Sequence, residues 1–466
     1  MYSAEISRKN PGCFIFLLDQ SASMEDPFGG SSDRRKADEL ATIINKLIHN
    51  LSIRCAKGDS MYDYFHVGVI GYGQDTVVKS AFDGPLTGKD LIPISELANN
   101  PLRIEDRTKK ADDGAGGLVE QTVKFPLWFE PRHVGGTPMS SAFKMAAEIV
   151  QRWVAEHPKG FPPIVINITD GEATDGDPVP EAKALCSLAG DPVPRHRNPS
   201  REPPVIDALH PVSAAPFSIE AFSCQKAGNA RSEYEDAWAI RGSDSPTRCR
   251  VAVADGATES SFSALWAALL VESFVRGRSH GPDFFKQLGA IRRLWRRKIR
   301  GRPMAWYAAE KARRGAYAAF VGASLNAVNH GWRAVAIGDC CLLHVTGAPP
   351  NRALAKAFPL TRSEEFGSSP FLVGSVKKND DDPLPHVRVI EGVLEANDIL
   401  FFASDALAAW LLRRAERGEP AWDAIEGIRT REDFEALVAQ AREDKTRNDD
   451  MTLVRLQRNG GERGAI

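Results

Sequence analysis

The apolar residues of this chain follow different rhythms in its two halves. Residues 13 to 19 form an apolar run ending on the carboxylate of Asp19, and beyond a polar stretch Ala37, Leu40, Ala41, Ile44, Leu47, Ile48 and Leu51 recur at helical spacing. A second strand is predicted over 64–72, a helix over 140–155 and a fully apolar strand over 164–168. Strands that are apolar on both faces and alternate with amphipathic helices predict a doubly wound α/β domain around a parallel sheet. Ligands of such sheets collect at the carboxyl ends of the strands. Asp19 and Asp170 fall there, and Thr137 lies in the glycine-led loop that opens the 140–155 helix.

Between about 182 and 216 the pattern fails: prolines recur, Arg195, Arg197 and Arg201 cluster, and no apolar period survives, which predicts a linker. Beyond it short strands are predicted at 237–240, 250–254, 317–326, 332–337, 387–393, 399–403 and 451–456. Helices are predicted over 261–276 and from near Ala406 and Arg431. Many strands with few crossover helices predict antiparallel sheets flanked by helices. The expected division is an α/β domain over 1–185, a Pro/Arg-rich linker over 186–216 and an α+β domain over 217–460.

Composition narrows the function classes. A chain of 466 residues with 43% hydrophobic content can bury two or three cores. A formal net charge of −2 gives no general attraction to nucleic acid or to an anionic membrane, and neither partner is expected. No apolar stretch reaches the length of a membrane span, and the amino terminus lacks the pattern of a signal peptide. The seven cysteines are odd in number and never spaced CxxC, so neither a disulfide framework nor a zinc site is expected, and a reducing cytoplasm is the expected compartment.

Two sets of oxygen ligands carry the candidate chemistry. Asp19, Ser21 and Ser23 offer one carboxylate and two hydroxyls just after a strand, a hard-oxygen set suited to Mg²⁺ or Mn²⁺. Together with Thr137 in Gly135-Gly136-Thr137-Pro138 and Asp170 in Thr169-Asp170-Gly171, this order resembles the metal-ion-dependent adhesion site of von Willebrand factor A domains, over about the first 180 residues. The resemblance implies one cation in the first domain, weakly held by neutral hydroxyls and open to a partner's carboxylate: a site that binds and does not catalyse. Domains of that family continue after the Asp170 strand with further helices and strands, whereas this chain enters the proline-rich stretch soon after Leu188. The first domain is therefore expected to be a truncated version, either naturally shortened or the product of a fusion.

The second set is Arg231 and Glu235-Asp236, then Asp255-Gly256, Gly338-Asp339, Ser404-Asp405 and Asn448-Asp449-Asp450. Its carboxylates suffice for two divalent ions, and two ions imply hydrolysis of a phosphate ester. In order and character these motifs resemble those of metal-dependent serine/threonine protein phosphatases (the type 2C, or PPM, family), over about 218–457. The resemblance implies a four-layer αββα sandwich holding two Mg²⁺ or Mn²⁺ ions, with Asp255 bridging them, Asp405 and Asp449 completing one site and Glu235 and the Gly256 carbonyl the other. It gives Arg231 to the substrate phosphate and leaves Asp236, Asp339 and Asp450 in supporting places. Many relatives carry a histidine after the Asp-Gly pair, where this chain has Ala257, so leaving-group protonation is expected to fall to water.

The basic run from Ile291 to Arg302 is expected to be a helix burying Ile291, Leu294, Trp295 and Ile299 with its arginines in water. His133 and His210 have no partners at metal spacing and are expected in loops, and Trp306 in a core. These features predict a two-module cytoplasmic protein of bacterial type, with a phosphorylated protein as substrate. By resemblance to the phosphorylation triads of stress and tellurite-resistance systems, a serine/threonine protein kinase is the expected partner. The alternative from another class is a non-catalytic phosphoprotein-binding scaffold, a pseudophosphatase.

Overall fold

The computed structural model describes residues 6–29, 34–73, 77–112, 118–158, 160–188, 212–214, 217–242, 248–258, 260, 262–277, 281–367, 369–377 and 382–458. The chain forms two compact units, Met1–Arg201 together with Met304–Lys311, and Glu202–Pro303 together with Ala312–Ile466.

The first unit is built on the strands Gly12–Asp19, Phe65–Tyr72 and Ile164–Ile168, with Gly12–Asp19 parallel to both of the others. Val78–Ser80 and Ile92–Pro93 pair antiparallel with Phe65–Tyr72 and complete a five-stranded sheet. Alternation along Gly12–Asp19 sends Phe16 and Leu18 to one core, with Ala41, Ile44 and Ile48 of the helix Lys36–Cys55. Ile15 and Leu17 enter the other core, with Ala142, Ala146 and Ile149 of the helix Met139–Glu156. Helices thus cover both faces, as the unbroken apolar strands require. Ile164 and Ile166 of the outer strand are each 38% exposed, which fits a sheet covered less completely on that side.

Two features of this unit lie outside the sequence expectations. Arg103–Asp112 and Leu118–Leu127 form a two-stranded hairpin. Residues 304–311, distant in sequence, also belong to this unit: the Trp306 indole N–H donates to the Ala98 carbonyl at 2.9 Å and its ring stacks on His49. The buried Lys311 ammonium donates to the Ala56 carbonyl at 2.5 Å.

The second unit is a helix–sheet–sheet–helix sandwich. One six-stranded sheet runs, in spatial order, Val212–Ala214, Phe217–Cys224, Met451–Arg458, Ile399–Ala403, Cys341–Thr346 and Ala353–Phe358. The other runs Ala237–Gly242, Arg248–Gly256, Tyr317–Asn326, Gly331–Ile337 and Arg388–Val393, with Val373–Gly374 paired to Tyr317–Asn326. Neighbouring strands pair antiparallel throughout. The inner faces meet through Val251, Val253, Val321, Phe402, Val454 and Leu456. Phe401, one residue from Phe402, points the other way, into the layer of Asp405–Glu416 and Arg431–Glu443. On the far side the helix Ser263–Arg276 buries Trp266, Leu270 and Phe274 against the second sheet, where Phe274 meets Phe320.

The strand Val212–Ala214 lies inside the stretch expected to be linker, and His210 lies outside the described residues. Leu288–Ile299 is the expected amphipathic helix: Ile291, Trp295 and Ile299 are buried and Leu294 half-buried. Arg292 is buried too, donating to the Gly374 carbonyl at 2.9 Å, while Arg293, Arg296 and Arg297 face water.

Candidate functional site

In the second unit the acidic residues come from strand ends at one edge of the sandwich. Asp255 and Gly256 close the strand Arg248–Gly256, Asp405 opens a helix directly after Ile399–Ala403, and Asp449 and Asp450 precede Met451–Arg458. Asp339 follows Gly338, whose positive φ of 87° turns the chain between Gly331–Ile337 and Cys341–Thr346. Gly256 has no room for a side chain, since a Cβ there would lie 2.6 Å from the Glu235 carbonyl oxygen.

These carboxylates act on one another. Burial, then the charges of Asp236, Asp405, Asp449 and Asp339, push Asp255 well above the usual carboxylate range. Asp236 is likewise raised by burial and by Asp450, Asp405 and Asp449. Burial and Asp405 push Asp339 up to about 7. Asp405 is raised as well, by burial and by the charge of Asp449. From solvent, Arg447 reaches Asp405 at 3.6 Å and Asp449 at 3.2 Å.

The adjacent Glu235 and Asp236 point to different partners. Glu235 accepts from the Ser263 hydroxyl at 2.5 Å, at the start of the helix behind the site. Asp236 faces the other carboxylates; one of its oxygens accepts from the Thr452 hydroxyl at 2.7 Å, while Oδ1 is buried with no hydrogen-bond partner among the described residues. Asp450 is a brace: its two oxygens accept from the Lys226 and Glu235 backbone N–H groups, each at 2.7 Å. It holds the segment carrying Arg231, Glu235 and Asp236 against the last strand. Arg231 itself is exposed in the turn Arg231–Glu233.

Ser263, Arg447 and Thr452 were not singled out in the sequence. Thr452 lies two residues after Asp450 and Arg447 two residues before Asp449, but serine, threonine and arginine at such positions read as ordinary turn and strand residues.

Among the described residues no three His, Cys, Asp or Glu side chains converge into a ready-made coordination shell. The fit to divalent cations rests instead on the orphaned Asp236 Oδ1, the mutual repulsion that raises Asp236, Asp255 and Asp405, and the all-oxygen donor set, which suits Mg²⁺ or Mn²⁺.

In the first unit the expected ligands gather at the carboxyl ends of the parallel strands. Asp19 is buried; its oxygens accept from the Ser21 N–H at 2.8 Å and the Thr169 hydroxyl at 2.6 Å. The Ser21 and Ser23 hydroxyls are 3.0 Å apart, and Ser23 donates to Asp170 at 2.8 Å. The Thr137 loop is tied to this group through Ala22 N–H to Gly135 O at 3.0 Å. Lys36 lies 2.6 Å from Asp170 and 3.1 Å from Asp26. Burial opposes ionisation of Asp170, but hydrogen bonds from Lys36 and Ser23 outweigh it and hold the carboxyl below its ordinary range. His133 is in a loop beside Arg35 at 2.8 Å. This all-oxygen set also fits a hard cation, with Lys36 as the present counter-charge.

No protein-family model matches the chain, and no curated protein matches it. Among solved structures, the serine/threonine phosphatase Stp1 from Staphylococcus aureus is similar over 56% of this chain and 100% of its own, with 13% identity and a TM-score of 0.37. A bacterial serine phosphatase is similar over 53% of this chain and 98% of its own, with 14% identity and a TM-score of 0.36. RsbX in complex with magnesium overlaps 52% of this chain and 95% of its own, with 14% identity and a TM-score of 0.31. Scores at this level leave function to be read from the side chains.

Proposed function

We propose that the second unit is a metal-dependent phosphatase of phosphoserine and phosphothreonine in proteins, and that the first unit is a metal-dependent protein-binding module of von Willebrand factor A type. The observation that carries the first reading is the cluster of buried Asp236 with half-buried Asp255, Asp405 and Asp449, in which Asp236 keeps an acceptor that no described residue satisfies. A structural ion-pair network would bring cations of its own into the core. Here the cation that reaches Asp405 and Asp449, Arg447, is 65% exposed.

Asp255, Asp405 and Asp449 would hold the ions, with Glu235, Asp236 and the Gly256 carbonyl completing their surroundings. Bound Mg²⁺ or Mn²⁺ supplies the Lewis acidity that makes water nucleophilic near neutral pH and screens the phosphoryl charge. The chain does the rest by placement. Asp450 fixes the Arg231 turn through two backbone bonds, and Arg231, with its planar fork of donors, is the group to reach the substrate phosphate. Cys340 and Cys341 are buried, with thiols raised above their ordinary range by burial, so neither is poised as a nucleophile.

The first unit would capture an acidic group of a partner on a cation held by Asp19, Ser21, Ser23, Thr137 and Asp170. A protein kinase or its phosphorylated substrate is the partner this reading expects, and a bacterial cytoplasm the setting, in keeping with the seven free cysteines. The test is release of phosphate from a phosphothreonine peptide with and without Mn²⁺. Turnover that needs the cation and disappears in Asp255→Ala and Asp449→Ala supports the reading; cation binding without turnover would leave a phosphoprotein-binding scaffold.

A further inference from the structure

Beside the carboxylate cluster, in the same unit, lies a cavity of about 640 Å³. Asp339 belongs to both: it lines the cavity and faces Asp405 and Asp449. Arg388 and Val389, at the start of the edge strand Arg388–Val393, line it together with His386 before that strand and with Phe358, Leu360 and Phe371. Phe371 and His386 stack face to face with ring centroids 3.7 Å apart, a flat platform inside the cavity.

The charges in this cavity are unequal in their commitments. Glu365 is spent locally, its carboxylate accepting from the Thr361 N–H at 2.6 Å and the Arg362 N–H at 3.1 Å. Asp339 faces the other carboxylates. Arg388 is exposed, and its guanidinium has no hydrogen bond or ion pair with any described residue. Its strand is anchored all the same, through the register Ala336 to Arg388 and Val335 to Val389.

We infer that this cavity is a subsite for the substrate chain next to the phosphorylated residue, and that Arg388 selects an anionic side chain there. The inference rests on the phosphatase reading and names the substrate class: phosphoproteins with a carboxylate or a second phosphate close to the residue hydrolysed. An acidic flank entering a carboxylate-rich edge meets repulsion unless a cation faces it, and a guanidinium offers a planar fork matched to either anion. The Phe371–His386 stack supplies an apolar surface for the backbone and stems of the same segment.

The experiment uses the full chain with Mn²⁺ and a set of phosphothreonine peptides flanked by Glu, by the isosteric Gln, by Lys, or by one phosphoserine. The quantity read is the ratio of kcat/KM between peptides within each variant, so that a general loss of activity cancels. The unmodified chain is expected to favour the Glu-flanked over the Gln-flanked peptide about three- to tenfold, mostly in KM and less at high salt. Arg388→Gln should bring that ratio close to one, and Arg388→Glu should turn the preference toward Lys. A larger gain from the phosphoserine flank identifies the second phosphate as the preferred anion, and an equal gain identifies charge alone; both support the subsite. No preference in the unmodified chain, or the same preference in Arg388→Gln, overturns it and leaves the phosphatase reading standing. No release from any peptide by the unmodified chain overturns both.

Discussion

Replacing Asp236 by Asn separates a metal-holding carboxylate from a structural one, because the two roles shift stability in opposite directions. In the cation-free protein Asp236 is buried among Asp255, Asp405, Asp449 and Asp450, with Oδ1 lacking a partner among the described residues. The amide keeps an oxygen for the Thr452 hydroxyl, removes the charge and offers an N–H where the orphaned acceptor was. Relief of an unsatisfied buried polar group is worth about 1–3 kcal/mol. For a domain of this size that raises Tm by roughly 2–12 °C. Cations change the sign. A ligand at one hundred times its Kd stabilises the unmodified protein by about 2.7 kcal/mol, or roughly 5–11 °C. Asp236→Asn should respond less, so the two melting curves cross as Mn²⁺ is added. Differential scanning fluorimetry with and without Mn²⁺, after EDTA treatment, reads both effects. A variant that melts lower without cation and keeps the full Mn²⁺ shift would show Asp236 to be a structural acceptor for Thr452 and refute the reasoning.

Other outcomes follow from the same geometry. Asp339, pushed up to about 7 by burial and Asp405, binds its proton more tightly folded than unfolded, so it stabilises the cation-free protein at low pH. That contribution, up to about 4 kcal/mol, is lost as pH rises from the ordinary carboxylate range through about 7, and urea midpoints across that window should show a shallower fall in Asp339→Asn. Gly256→Ala places a Cβ 2.6 Å from the Glu235 carbonyl, so Mn²⁺-dependent hydrolysis of p-nitrophenyl phosphate should fall by at least tenfold while circular dichroism keeps its shape. Asp19→Ala should weaken capture of an acidic partner in a pull-down with Mg²⁺ and leave hydrolysis of the aryl phosphate unchanged; equal loss of both would end the division of labour between the units.

Much of the molecule was legible in the sequence because the physics involved is local. The strands Ile164–Ile168, Tyr317–Asn326 and Ile399–Ala403 occur where their apolar runs predict them, and the helix Leu288–Ile299 buries the face its spacing indicated. The candidate carboxylates fall at strand ends for a related reason: a charged residue after an apolar run marks where the chain leaves the core. The sequence alone also determined which chemistry is available, since oxygen ligands in this number suit hard cations and the cysteines lack metal spacing.

Tertiary structure decided what depends on partners distant along the chain. Glu235 and Asp236 are adjacent and chemically alike; that one bonds Ser263 and the other faces the cluster follows from a helix some thirty residues away and a strand more than two hundred away. Val212–Ala214 is a strand because it pairs with Phe217–Ile219, which in turn borders Met451–Arg458, and short polar segments carry no such information in themselves. Trp306 was expected in a core, but which core was not legible; residues 304–311 belong to the first unit because His49 and the carbonyls of Ala56 and Ala98 are there to receive them. Periodicity records which face of an element avoids water. Which element it meets is set by long-range packing, and that is where this protein's carboxylates acquire their separate roles.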